Sequence, residues 1–336
     1  MKKSQMYIAI VIVMVIVVSF FANSIFSSKA KENNVVVNNE TTKVRVAYLP
    51  VIHALPLFVA IEKGYFKEAG LDVEKVEFQA PNQIIDALIN GSADFGSAAA
   101  LGITGIADYK DPGKIKVFNL AGDVGDKTGE SLIIPKNSKI SSISNLKGKK
   151  LGILAGTIQW KTIAREILAK NGLDMDKDVT IVELAGTVQV QALSSGQIDA
   201  LLALEPIPTV AIGKSGATIL AKTPGKQFIA DPFWYGAGVV SAKFAQENPI
   251  TTKKVIAALD KAVDEINASP ESSRQYLKGY TSLTDDLILK VPLVEFKNCN
   301  SLNDKDMESV RKFFAIFTNN KVIDGEINAN SLMYCK

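Results

Sequence analysis

The sequence is poor in the side chains on which most hydrolases and metalloproteins depend. Among 336 residues there is one histidine, His53, and there are two cysteines, Cys299 and Cys335, both near the C-terminus. No set of Cys and His at ligand spacing exists, which excludes a zinc site of the usual kind. A Ser-His-Asp arrangement would have to use His53, for which spacing places no partner. No Gly-x-Gly-x-x-Gly follows a strand-like run, and phosphate-binding Lys loops, His-Glu-x-x-His and Gly-x-Ser-x-Gly are missing. No catalytic residue, metal or cofactor is therefore expected. With 38 basic and 35 acidic residues the net charge is +3, so no domain-wide basic field for nucleic acid is implied.

Hydrophobic residues make up 47% of the chain, and part of that excess is local. Residues 6–22 (MYIAIVIVMVIVVSFFA) follow Lys2 and Lys3, the charged-then-apolar order of a secretory signal or an N-terminal anchor. A cleavable signal has an apolar core of about 7 to 15 residues and a membrane span needs roughly 20; this run lies between. It can be extended through Ile25 and Phe26, yet Ser28-Lys29-Ala30 also fits a small-x-small cleavage site. Residues 1–30 thus read as a signal or as an anchor through residues 6–26, and export follows from either. Residues 31–42 are polar, rich in Asn and without period, as in a linker. In an exported protein Cys299 and Cys335 can close a disulfide that pins the tail, or remain two free thiols.

The body of the chain repeats itself. Ala87-Leu88-x-x-Gly91-x-x-Asp94 returns as Ala192-Leu193-x-x-Gly196-x-x-Asp199, and Gly70-Leu71-Asp72 returns as Gly172-Leu173-Asp174. Each copy runs strand, helix, Gly, strand, helix, Gly, strand. The helices before the Gly-Leu-Asp motifs are expected over 57–69 and 160–171, each ended by a Gly suited to the left-handed position. Alternation of this kind predicts an α/β fold of two lobes, each a parallel-rich sheet flanked by helices. The length also favours about two domains. The first part of lobe 1 is placed at 43–130, lobe 2 at 136–234, and the return to lobe 1 with C-terminal helices at 242–336. Two short β-rich runs, 131–135 and 235–241, are the expected hinges.

Open parallel sheets bind ligands outside the carboxyl ends of their strands, so the turns after the strands are the candidate site. Several place small residues before a helix, where backbone N–H groups and the helix dipole suit an anionic or carboxyl-like ligand. Thr157 and Thr187 equally suit plain N-terminal caps. His53 is read either as a hydrogen-bonding group titrating near neutral pH or as an exposed loop residue. Trp234, beside the second hinge, is a candidate stacking surface facing the cleft. Asp123 and Asp126 read as a solvated turn more than as part of the cleft.

At this point the residues resemble a known family. Pro56-Leu57-Phe58-Val59-Ala60, Glu62-Lys63-Gly64-Tyr65-Phe66 and Ala69-Gly70-Leu71-Asp72-Val73 look like the opening of the periplasmic binding proteins for nitrate, sulfonates, taurine and thiamine-pyrimidine precursors. Residues 143–153 (ISNLKGKKLGI) resemble that family's entry into its second lobe, and Asp199-Ala200 with Glu205-Pro206 resembles its close. The resemblance implies the two-lobed type II periplasmic-binding-protein fold and an ABC permease as partner, with a monomeric protein holding a small anionic or heterocyclic solute. By position it implies substrate contacts from His53, Ala54, Asn82, Ser97, Thr157, Gln159 and Glu205. Leu204 stands where an aromatic residue is often found. Enzymes of thiamine-pyrimidine synthesis share the fold, but their chemistry is cytoplasmic, which the N-terminal apolar run argues against; a ligand sensor for a membrane partner is a further alternative.

Overall fold

The computed structural model describes residues 41–335, so the expected signal or anchor and nearly all of the linker lie outside the described residues. Among the described residues no helix is long and apolar enough to cross a membrane.

The described residues form eleven strands, in chain order β1 (Thr42–Tyr48), β2 (Leu71–Glu77), β3 (Phe95–Ala100), β4 (Ile115–Asp123), β5 (Glu130–Ile134), β6 (Lys149–Leu154), β7 (Val179–Leu184), β8 (Ala200–Leu204), β9 (Thr218–Lys222), β10 (Phe233–Ser241) and β11 (Glu295–Asn298). They make a six-stranded sheet ordered β11-β4-β10-β3-β1-β2 and a five-stranded sheet ordered β7-β6-β8-β5-β9. In the first, β1 runs parallel to β2 and β3, and β10 is antiparallel to β3 and β4. In the second, β6 runs parallel to β7 and β8, and β5 is antiparallel to β8 and β9. Strand for strand the two orders coincide, with β11 added at one edge.

The repeated sequence motifs have a shared physical role. Asp94 Oδ2 accepts the Arg45 N–H at 2.8 Å and returns its own N–H to the Arg45 carbonyl at 2.9 Å. Asp199 makes the same pair with Lys150, at 2.8 and 2.9 Å. Each Asp thus clamps the start of its third strand to the first strand of its lobe. Ahead of each, Ala and Leu are buried in the helix–sheet contact, and Gly91 and Gly196 end their helices at φ +77° and +76°, a conformation that glycine adopts without strain.

Two details differ from the sequence reading. The helix expected over 57–69 is two helices, Leu55–Glu62 and Tyr65–Glu68, because Gly64 between them adopts φ +75°. The expected hinges are strands: residues 131–134 lie within β5 and 235–241 within β10, both paired on two sides. The chain crosses between the sheets just before them, at 124–129 and 223–232. Each crossing delivers the chain straight into the interior of the opposite sheet.

The C-terminal helices pack on the first lobe. Pro249–Ala268 buries Val255, Leu259, Ala262 and Ile266 on one face, and Asp304–Asn319 sets Phe313 edge-on against Phe233 of β10 at 5.2 Å between ring centroids. Cys299 and Cys335 form a disulfide with Cα atoms 5.2 Å apart, while the Tyr334 N–H donates to the Val117 carbonyl at 2.7 Å; the tail is thereby held along β4. The bridge spans a sequence separation of 36, so loop closure alone contributes about 3 to 4 kcal/mol. Replacing both cysteines by alanine is expected to lower the unfolding free energy by that amount in urea denaturation. A change below about 1 kcal/mol would show that the tail is held by packing alone.

Candidate functional site

The lobes meet through the turns at the carboxyl ends of their parallel strands. The Ile52 N–H, after β1, donates to the Glu205 carbonyl, after β8, at 3.4 Å. Gly156, after β6, comes so near Asn82 that a Cβ there would lie 3.1 Å from Asn82 Oδ1. Between these contacts is a small apolar cavity of about 110 Å³, walled by Leu49 and Val51 from the first lobe and by Leu154, Leu204 and Ile207 from the second, with Gln79 and Thr187 at its margin. Solute pockets usually enclose about 300 Å³ or more. A solute of more than a few heavy atoms therefore requires the lobes to separate.

Gln159 is the strongest bridge. It is buried, its Oε1 accepts the Gly102 N–H at 2.6 Å, and its Nε2 donates to the Tyr235 carbonyl at 3.2 Å. The partners belong to the first lobe, Gly102 opening the Leu101–Lys110 helix and Tyr235 on β10. A Cβ at residue 102 would stand 2.8 Å from Gln159 Oε1 and 2.5 Å from Phe317 Cζ, so glycine is what permits the approach. Thr157 caps the Ile158–Lys170 helix, accepting the Gln159 N–H at 3.1 Å. Thr187 makes no such cap; the Gly186–Ser194 helix starts from Ala185 without a side-chain bond.

Behind these contacts, beside the first crossing, lies a buried acidic group. Asp123 ends β4, Glu130 opens β5, and Glu205 follows β8; all three are buried. Asp123 Oδ1 accepts the Gly129 N–H at 2.6 Å and the Tyr235 hydroxyl at 3.2 Å. Glu130 Oε1 accepts the Gly225 N–H at 2.6 Å. Glu205 Oε2 accepts the Thr209 N–H at 3.2 Å, while its own N–H donates to the Gly129 carbonyl at 2.8 Å. A Cβ at Gly129 would overlap the Tyr235 hydroxyl and Val294 and reach within 3.1 Å of His53 Cε1, which fixes how tightly this corner is packed.

Burial dominates the electrostatics. It pushes Asp123 up to about 7, with the Gly129 and Tyr235 hydrogen bonds, and the Lys226 charge, pulling only partly the other way. It raises Glu205 to about 7, and it raises Glu130 well above the usual carboxylate range, where the Asp123 charge adds to the effect. The Lys226 ammonium is itself bound to the Gly125 carbonyl.

The expected site residues divide. His53 is buried, with its ring 5.1 Å from that of Tyr235. Its two nitrogens have no hydrogen-bond partner, and burial pushes it down to about 3; it is neither an exposed loop residue nor a group titrating near neutral pH. Ala54 and Ser97 are buried nearby in the first lobe, and Asn82 Oδ1 is buried without a partner at the lobe contact. Trp234 is turned away: its indole N–H donates to Asp306 Oδ1 at 3.2 Å in the C-terminal helix. Side chains alternate along a strand, and its neighbour Tyr235 points to the acids instead. Asp123, read as part of a solvated turn, is fully buried. Glu130 is the residue that the sequence reading missed, and Asp123 the one it read chiefly as a solvated turn.

The arrangement, two lobes of one topology meeting over a cleft at the strand ends, is the two-lobed fold of the periplasmic binding proteins. The crystal structure of the periplasmic aliphatic sulphonate binding protein SsuA from Escherichia coli superposes with a TM-score of 0.69 at 18% identity, over 87% of this chain and 92% of that one. The periplasmic nitrate-binding protein NrtA from Synechocystis gives 0.68 at 15% identity, over 87% and 85%. The chain belongs to the NMT1/THI5-like family, whose family model matches residues 52–273. It is 30% identical over 232 residues to a Brucella abortus protein named "Putative binding protein", over 68% of this chain and 69% of the relative. It is also 29% identical over 216 residues to the "Putative aliphatic sulfonates-binding protein" of Bacillus subtilis, over 62% and 61%. A 4-amino-5-hydroxymethyl-2-methylpyrimidine phosphate synthase of Saccharomyces cerevisiae is 24% identical over 277 residues, 78% of this chain and 77% of the relative.

The buried acids make a pH prediction. Their folded-state affinities for protons exceed those of the unfolded chain, so the contribution of Asp123 and Glu205 to stability falls as pH rises between about 4 and 7, and Glu130 acts in the same direction. The Glu130→Gln variant keeps an oxygen for the Gly225 N–H and removes one such acid. Relative to wild type it is expected to gain stability as the pH rises from 5 to 8, read by urea denaturation. The absence of that gain would contradict the assignment.

Proposed function

We propose that this chain is the solute-binding component of an ABC importer, working outside the cytoplasm without covalent chemistry and handing its solute to a permease. The observation that carries this reading is the double crossing. Segments 124–129 and 223–232 are the only described covalent links between the sheets, and two short links beside the cleft are what hinge closure requires. The names of the Brucella and Bacillus relatives support binding. We further infer that residues 6–26 hold the protein at the outer face of the membrane, or are removed with the signal, and that 31–42 serve as the linker.

An enzyme of the kind named in the yeast relative is the competing reading. The cleft opposes it in one respect: His53, the chain's single imidazole, has no hydrogen-bonded nucleophile or orienting carboxylate. The test is thermal shift of the full-length, detergent-solubilised chain against a panel of sulfonates, nitrate, bicarbonate, thiamine precursors and small organic amines. A solute present at about 100 times its Kd adds about 2.7 kcal/mol of stability. One class is expected to raise the transition and to be recovered chemically unchanged after prolonged incubation. Conversion of the solute, or no shift by any of them, would overturn the reading.

A further inference from the structure

We propose, resting on the solute-binding reading above, that the cleft selects a small organic cation: a protonated amine or amidinium that docks its N–H groups on Glu130, Glu205 and Asp123 and lays its apolar body against Leu49, Leu154, Leu204 and Ile207. The first ground is hydrogen-bonding capacity. Asp123 Oδ2, Glu130 Oε2, Ser131 Oγ and both His53 nitrogens are buried without a partner, and buried polar atoms in native proteins are nearly always paired. The His53, Asp123 and Glu130 atoms belong to one neighbourhood, Glu130 feeling the Asp123 charge. His53 lies against Tyr235, Tyr235 donates to Asp123, and the Gly129 peptide joins Asp123 to Glu205. A ligand with several N–H donors matches a set made almost wholly of acceptors.

The second ground is charge. No cation acts on Glu130 or Glu205, and on Asp123 only Lys226 does. Three acids buried together behind the lobe contact repel an anion and, once ionised, attract a cation. Anion binding at helix N-termini is also disfavoured, because the helices starting at Leu101, Ile158 and Ile207 already give an N–H to Gln159 Oε1, Thr157 Oγ1 and Glu205 Oε2. The third ground separates an organic cation from a metal ion: among the described residues no three acid, His or Cys side chains converge as a ligand set. The apolar cavity comes next to them at Glu205, whose chain neighbours Leu204 and Pro206 line it.

The test is calorimetric titration of the full-length chain at pH 8 with benzamidine, benzylamine and butylamine, each set against benzenesulfonate or butanesulfonate of like skeleton, and separately with calcium and zinc ions. At least one amine is expected to bind at least about tenfold more tightly than its matched sulfonate. Its affinity is expected to rise from pH 6 to 7, by up to about tenfold per pH unit for each proton that docking displaces from Asp123, Glu130 and Glu205, in the presence of His53, Tyr235 and Lys226. The Glu130→Gln, Glu205→Gln double variant is expected to lose that binding by about tenfold or more while its unliganded melting temperature is no lower than wild type. Tighter sulfonate binding, binding of the metal ions in place of the amines, or an unchanged amine affinity in the double variant overturns the proposal and leaves a solute-binding protein. Absence of binding by every amine overturns it too. Failure of the whole solute panel described above removes the solute-binding reading as well.

Discussion

One buried amide spans the two lobes. Gln159 takes an N–H from the start of a first-lobe helix and gives its own to the carbonyl of Tyr235, so two buried hydrogen bonds from one side chain help to fix the relative placement of the lobes. Both sit away from water, where an unmade bond costs about 1 to 3 kcal/mol. The same residue orients the floor of the cleft. By holding β10 at Tyr235 it fixes the hydroxyl that reaches Asp123, and Asp123 in turn holds Gly129 at the crossing.

The acids set the electrical character of that floor. Carboxylates buried without adequate cations are costly when ionised, and here burial moves Asp123 and Glu205 to about 7. Folding alone gains nothing from such a cluster, which a set of apolar side chains would replace at lower cost. Its presence at the meeting point of two lobes and two crossings is what the proposed binding of a cation would require, at the expense of stability. In the proposed reading the solute, not closure alone, supplies the missing partners.

The lobes were legible because their signals are local. Asp94 and Asp199 must each cap a third strand against a first, and Gly91 and Gly196 must each end a helix, so the pattern is dictated wherever the unit occurs. Family resemblance brought His53, Gln159 and Glu205 to the cleft by position. What escaped was whatever depends on tertiary context. A β-rich run reads alike as a hinge or as a strand, and only pairing shows that residues 131–134 and 235–241 are strands. Trp234 and Tyr235 are adjacent, and the register of β10 shifts just after them, so their faces could not be assigned by counting. Asp123 carries the composition of a surface turn; the one hint of its burial is the apolar run of β4 leading directly into it.

The central claim is that two lobes, joined at 124–129 and 223–232, open and close about the Gln159 bridge. Asp86 and Gln191 are exposed at equivalent positions of the repeat, on helices that flank the cleft from opposite lobes. Spin labels introduced by Asp86→Cys and Gln191→Cys report the distance between those helices by pulsed dipolar spectroscopy. Adding Gln159→Ala is predicted to move the distance distribution to longer values and broaden it, because the closed arrangement loses both hydrogen bonds. Superimposable distributions with and without that substitution would contradict the account.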